Sequence, residues 1–166
     1  MQTGALLFLS FLLLQRVSEL AISKVNTKRL LACGAYEVGA GHYPTMVTMH
    51  SAWLVCLSVF GYSQPVSIFW IVLFATLQIF RIWILTSLGF RWTTRIIILE
   101  EPLVKHGPFK FIHHPNYTLV VAEIIVAPMV LGLWWIAILF TILNALMLWV
   151  RITAEESALS PLRNKL

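Results

Sequence analysis

Four ionisable side chains sit inside runs of residues otherwise suited to hydrocarbon: Arg16, Glu19, Arg81 and Glu123. A charge within a membrane span is costly and is a functional candidate by default. Arg16 and Glu19 stand three apart, a spacing that places both on one helical face, so an intrahelical pair accounts for them without any chemistry. Arg81 and Glu123 can pair between helices and fix a bundle. Structural pairing is therefore the simpler expectation for these four.

Two other clusters are richer. Glu101–Tyr117 reads EPLVKHGPFKFIHHPNY, with Gly107–Pro108 and His114–Pro115 fixing turns at the ends of an aromatic and basic stretch. Such turns present backbone N–H and C=O groups to a ligand. An interfacial loop, with lysines and aromatics among headgroups, has the same composition. Further on, Arg151 and Glu155 stand four apart on one helix face with Glu156 adjacent. An exposed pair of this kind is worth only about 0.3–0.5 kcal/mol, and a solvated face explains it equally well. Cys33 and Cys56 have no CxxC spacing, so neither a disulfide nor a metal site is expected.

The elements that must position these groups are membrane helices. The chain has 166 residues, 59% hydrophobic and 11% charged, with a mean hydropathy of +0.83. Soluble domains carry about 25% charged residues. The net charge of +5 does not imply nucleic acid, because the basic residues are spread through short segments between apolar runs. The first apolar stretch lacks a basic n-region and a small-x-small cleavage site, so it reads as a retained span.

The expected fold is an all-α polytopic transmembrane bundle forming one integral membrane domain. Its spans are near 5–22, 44–60, 66–88, 117–131 and 133–150, the last two forming a hairpin. Tyr117–Val150 is too long for one span at 1.5 Å per residue, and Pro128 and Gly132 supply the break. Ten of the twelve Lys and Arg lie in 23–43, 89–116 and 151–166. Five spans put all three segments on one side, which makes that side cytoplasmic and leaves the N-terminus outside. The hairpin then returns the Arg151–Glu155 helix end to the His114–Pro115 loop.

At this point the motifs resemble the isoprenylcysteine carboxyl methyltransferase family, above all its short bacterial members. The family pattern is L-V-x-x-G-P-Y-x-x-x-R-H-P-x-Y, a hydrophobic hairpin, then R-x-x-x-E-E; this chain has LVKHGPFKFIHHPNY at 103–117 and RITAEE at 151–156. The resemblance is strong over 89–159 and looser at QRVSEL (15–20) and GHYP (41–44). Phe109 replaces the usual Tyr, and His113 the usual Arg.

The resemblance implies an S-adenosylmethionine-dependent enzyme of the bacterial cell membrane, with cofactor-binding elements at 89–117 and 151–159. The cofactor pocket would use Glu101, Pro102, Leu103, Val104, Phe109, His114, Pro115, Asn116, Tyr117 and Glu155, while Arg151 would face the substrate and orient its oxyanion. A carboxylate suits ribose hydroxyls and a sulfonium cation, and aromatic faces suit adenine. The short bacterial members are similar to enzymes that O-methylate long-chain polyketides such as alkylpyrones; the family name points instead to isoprenylcysteine-like carboxylates. Two other classes stay open. One is a reductase relative of the same hairpin architecture, using NADPH. The other is a non-enzymatic transporter or scaffold, although no pseudo-repeat of the transporter kind is present. Oligomeric state is not legible.

Overall fold

The computed structural model describes residues 2–102 and 104–163. Leu103, one of the expected cofactor residues, lies outside the described residues. Five helices run α1 (Gln2–Ala32), α2 (Tyr43–Gly61), α3 (Ile68–Leu88), α4 (Pro115–Val130) and α5 (Trp134–Arg163). Two three-residue strands, β1 (Tyr36–Val38) and β2 (Ile96–Ile98), pair antiparallel with Glu37 opposite Ile97. The architecture is the expected all-α membrane bundle.

Four helices, α1, α2, α3 and α5, are long and apolar enough to cross a membrane. The fifth, α4, has only 16 residues, about 24 Å at the helical rise. It nevertheless reaches the far end of the bundle, where the Val130 carbonyl accepts from the Ser67 amide at the start of α3, 2.9 Å away. The α4–α5 hairpin turns where expected. Gly132 takes a φ of 68°; the Leu133 amide bonds the Pro128 carbonyl at 2.9 Å and the Gly132 amide bonds the Met129 carbonyl at 3.1 Å. This is a Schellman closure, which needs a residue free to adopt the left-handed region. Pro128 itself stays inside α4.

Two helices overrun the expected spans. The polar stretch after Ile22 is not a loop: α1 continues to Ala32 and ends at Gly34, whose φ is 88°. Lys24, Lys28 and Arg29 are good helix formers, so polarity there marks departure from the bilayer and not the end of the helix. Likewise α5 carries on through Glu155 to Arg163. Pairing of β1 with β2 ties the 33–42 and 89–114 connections together. Both basic segments and the end of α5 are thereby gathered at one end of the bundle.

The molecule is apolar outside and polar within. Leu7, Phe69, Ile79 and Trp149 are exposed, while Glu19, Arg81, Glu123, Asn144 and Arg151 are buried. Water would penalise that outer surface, and a bilayer accommodates it. The apolar core joins Leu12, Trp53, Leu57, Phe74, Ile124 and Ile136 from all five helices.

Arg16, Glu19, Arg81 and Glu123 form one network between α1, α3 and α4. Arg16 donates to Glu19 at 2.9 Å and to Glu123 at 2.7 Å; Arg81 donates to both of the same carboxylates. Gln78 adds a donor to Glu123 at 3.0 Å, and Gln15 one to Glu19 at 3.2 Å. Two guanidiniums and two carboxylates cancel in charge, which is the condition for holding them away from water. The structural pairing expected from sequence is present, extended to all four residues.

Candidate functional site

At the gathered end of the bundle, the first turn of α4 packs against the last exposed turns of α5. Arg151 is the eighteenth residue of α5, about 26 Å from its start, so it comes level with the beginning of the 24 Å α4. Pro115 starts α4, and His114 before it has left the helical region (φ −128°, ψ 67°), which a following proline disfavours. These two facts bring the distant motifs together. The Tyr117 hydroxyl donates to Glu155. His114 Nε2 lies 2.8 Å from Glu156 Oε1, and its ring stacks on Tyr117 with centroids 5.4 Å apart.

Arg151 is buried and does not pair with Glu155. One Nη donates to the Met46 sulfur at 3.0 Å and the other to the Thr94 carbonyl at 3.0 Å, with the guanidinium 5.8 Å from the Tyr117 ring centroid. Thr94 is itself fixed to α1: its hydroxyl shares a hydrogen bond with Ser23 at 2.8 Å, and its amide donates to the same oxygen. Among the described residues no carboxylate forms an ion pair with Arg151. The solvated i,i+4 pair that the spacing allowed is therefore not formed, and the cation keeps its charge for another partner.

Two cavities meet here. The first, of about 240 Å³, lies at the loop end under β2 and mixes polar and aromatic walls. Glu101, Val104, Phe109, His114, Pro115, Asn116, Tyr117, Arg151 and Glu155 all line it. Pro102 does not; its carbonyl instead accepts from Arg91 at 2.8 Å, beside an ion pair between Arg91 and Glu101. Phe109 rides on the turn 107–110 and packs against Ile84, Trp92 and Leu119. His113, the residue in place of the family's Arg, is also in the wall.

The second cavity, about 140 Å³, lies among the helices; Val47, Leu54, Val120, Met147 and Leu148 give it a mostly apolar surface, with Arg16, Glu19, His50, Arg81 and Asn144 also in its wall. Leu20 and Ser51, both exposed on the outer surface, also line it, so it opens sideways between helices. Trp92, Asn116, Tyr117 and Arg151 belong to both cavities and form the wall between them. Trp92 Nε1 donates to Asn116 Oδ1 at 3.3 Å, which steadies that wall. Among the described residues no cluster of three potential metal ligands is present.

Trp92, Thr94, Met46, His50 and Asn144 escaped the sequence reading. His50 and Asn144 had a signal: each is a polar residue in an apolar span, subject to the same reasoning that singled out Arg16. Trp92 and Met46 had none, since apolar side chains in an apolar chain carry no mark.

Comparison with known proteins identifies the family of the chain. Residues 70–161, from α3 through the site-bearing part of α5, match the isoprenylcysteine carboxyl methyltransferase family. The chain is also 38% identical over 159 residues to a Bacillus subtilis (strain 168) protein, the uncharacterized protein YpbQ, covering 92% of this chain and 95% of that one. An uncharacterized Haemophilus influenzae protein is 30% identical over 156 residues, covering 89% and 90%. No solved structure matches the chain. With the family match spanning both motifs that meet at the site, and full-length relatives of the same size, the chain belongs to the isoprenylcysteine carboxyl methyltransferase family.

Proposed function

We propose that this protein is a membrane-embedded methyltransferase that takes S-adenosylmethionine in the polar cavity and O-methylates a lipophilic acceptor held in the apolar one. The observation that carries the reading is that two cavities, one with a mixed polar and apolar surface and one with a mostly apolar surface, share a wall of four side chains, Trp92, Asn116, Tyr117 and Arg151. A water-soluble donor and a lipid-soluble acceptor need such a pair of compartments. Family membership supports the reaction class, and family members use S-adenosylmethionine.

The residues of the polar cavity fit that donor. Trp92, Phe109 and Tyr117 offer ring faces for a purine, and Glu155 offers a carboxylate for a diol and a nearby cation. Phe109 in place of Tyr keeps the face and gives up one hydroxyl. When bound, S-adenosylmethionine supplies a methyl group activated on a sulfonium. The chain's residues do the rest: they hold the acceptor in line, orient its oxyanion and exclude water. Arg151 suits the oxyanion because its partners among the described residues are a sulfur, a carbonyl and the Tyr117 side chain, and no carboxylate among them forms an ion pair with it.

The acceptor in this reading is a long-chain hydroxylated lipid of the polyketide type, such as an alkylpyrone; an isoprenylcysteine-like carboxylate is the acceptor to compare it with. The sideways opening at Leu20 and Ser51 supports entry from the lipid. The basic end of the bundle faces the cytoplasm of a bacterial cell membrane in this reading, with the N-terminus outside.

Calorimetric titration of detergent-purified protein with S-adenosylhomocysteine, in wild type and Glu155→Ala, tests it. Saturable binding by wild type that is strongly weakened in the variant is expected. A folded wild type that does not bind overturns the methyltransferase reading and leaves the membrane bundle standing.

A further inference from the structure

The sequence GHYP at 41–44 holds a tyrosine that lines neither cavity. This Tyr43 opens α2, and its hydroxyl lies 3.1 Å from Thr94 Oγ1. Ser23, 3% exposed on α1, also lines neither cavity. Its hydroxyl lies 2.8 Å from the same Thr94 oxygen and accepts from the Thr94 amide at 2.9 Å. A hydroxyl has one hydrogen and two lone pairs, so Thr94 Oγ1 can serve both neighbours. The Tyr43 ring is held in turn. The Arg95 guanidinium stacks on it, 4.0 Å from the centroid, and pairs with Glu37 of β1 at 2.6 Å.

These contacts converge on one carbonyl. Thr94 stands between the turn 89–91 and β2, outside regular structure, so its amide and side chain decide where that carbonyl points. Asn26, three residues on from Ser23 and on the same face of α1, donates to the Trp92 carbonyl at 2.8 Å and fixes the segment two residues earlier. The Thr94 carbonyl accepts from one Nη of Arg151 at 3.0 Å. Met46, three residues after Tyr43 on the same face of α2, accepts from the other. Without these two acceptors the spacing on α5 offers Arg151 a stronger one, the Glu155 carboxylate one turn away. That pair would neutralise the cation on which the proposed reaction depends.

We infer that Ser23 and Tyr43 are positioning residues for Arg151, acting through the Thr94 carbonyl to hold its guanidinium off Glu155. The inference rests on the proposed role of Arg151 toward the acceptor oxyanion. It gives a use to the part of α1 that overruns its expected span: those turns are the post to which the 89–94 segment is fastened. Ser23, Asn26, Tyr43 and Met46 all precede residue 70, so the hold is built by a part of the chain outside the family match.

The test uses four variants. Ser23→Ala removes both bonds to Thr94 and keeps a good helix former. Tyr43→Phe removes one bond and keeps the ring beneath Arg95. Thr94→Val deletes the shared hydroxyl, and Thr94→Ser keeps it. Methyl transfer from S-adenosylmethionine to a pentadecyl 4-hydroxy-2-pyrone is measured in detergent, beside calorimetry with S-adenosylhomocysteine. Ser23→Ala and Thr94→Val are expected to lower kcat at least about tenfold, since a misplacement of about 1 Å can cost about a hundredfold. Tyr43→Phe should lose about three- to tenfold, and Thr94→Ser should stay within about threefold of wild type. Affinity for S-adenosylhomocysteine should change by less than about threefold throughout, whereas a general loosening of the fold weakens it as well. A second measurement needs no substrate: nuclear magnetic resonance of the Arg151 guanidinium, assigned through Arg151→Lys. Slowly rotating Nη groups are expected in wild type and averaged ones in Ser23→Ala. Wild-type kcat in both Ser23→Ala and Thr94→Val overturns the inference. So does an equal loss in Thr94→Ser and Thr94→Val, or an Arg151 signal that Ser23→Ala leaves unchanged. If wild type transfers no methyl group, the enzymatic reading with this acceptor falls, and the Arg151 signals still decide the hold: freed in Ser23→Ala it stands, unchanged it falls.

Discussion

Arg151 and Glu155 stand one turn apart on α5 and face different partners: Arg151 binds Met46 and the Thr94 carbonyl, while Glu155 takes the Tyr117 hydroxyl. Their spacing permits an ion pair. Packing against α2, α4 and the Thr94 segment keeps them apart, so a cation borders both cavities and an anion borders the polar one alone. In the proposed function, that order places the anion beside a cationic donor and the cation beside an anionic acceptor.

Arg151→Lys keeps the charge and loses the planar fork. Methyl transfer is expected to fall about 100-fold, equivalent to roughly 2.7 kcal/mol of transition-state stabilisation. S-adenosylhomocysteine affinity should change by less than about threefold, because the donor contacts remain. Steady-state kinetics beside calorimetry separates the two; an undiminished rate in Arg151→Ala removes the role altogether.

Tyr117→Phe deletes the donor to Glu155 and leaves the ring stacked on His114. Hydrogen bonds to charged groups contribute about 1.5–3 kcal/mol. Glu155 is half-buried, so the lower end applies, and S-adenosylhomocysteine is expected to bind about tenfold more weakly with the thermal midpoint nearly unchanged. A full-strength titration curve from this variant means that Glu155 needs no help from Tyr117.

Glu123→Gln leaves Arg16 and Arg81 with Glu19 as their remaining carboxylate. Breaking a buried pair by removing one partner costs about 3–5 kcal/mol. Thermal unfolding in detergent should show a large loss for Glu123→Gln and for Arg81→Gln. The double variant should lose clearly less than their sum, because the two share one network. Strict additivity marks the two as independent.

Gly107 and Gly132 both have positive φ, 61° and 68°, yet alanine is expected to act differently at each. At Gly132 a Cβ meets nothing within 4 Å, so the cost is conformational, about 1–2 kcal/mol of stability. At Gly107 a Cβ falls 2.2 Å from Ser87 Oγ and 3.3 Å from Trp83 Nε1, so the turn carrying Phe109 must move. Gly107→Ala should weaken S-adenosylhomocysteine binding, whereas Gly132→Ala should lower stability alone. Calorimetry and thermal unfolding on both variants give the comparison.

Sequence by itself determined the solvent of this protein, the hairpin and the linked motifs. Hydrocarbon demands long apolar runs, a break in Tyr117–Val150 demands Gly132, and charged residues between runs leave a countable pattern. Nine of the residues that line the polar cavity were named through the resemblance of the motifs at 103–117 and 151–156 to a family pattern; the local turns and helix end alone fitted an interfacial loop equally well. Tertiary structure decided the rest. Where α1 stops, that β1 pairs with β2, that Arg151 meets Met46 and Thr94 instead of Glu155, and that a second cavity borders the first all depend on contacts between residues far apart in the chain. In a chain this apolar, a residue lining a cavity and one facing lipid have the same composition. Only packing tells Met46 or Trp92 from their neighbours.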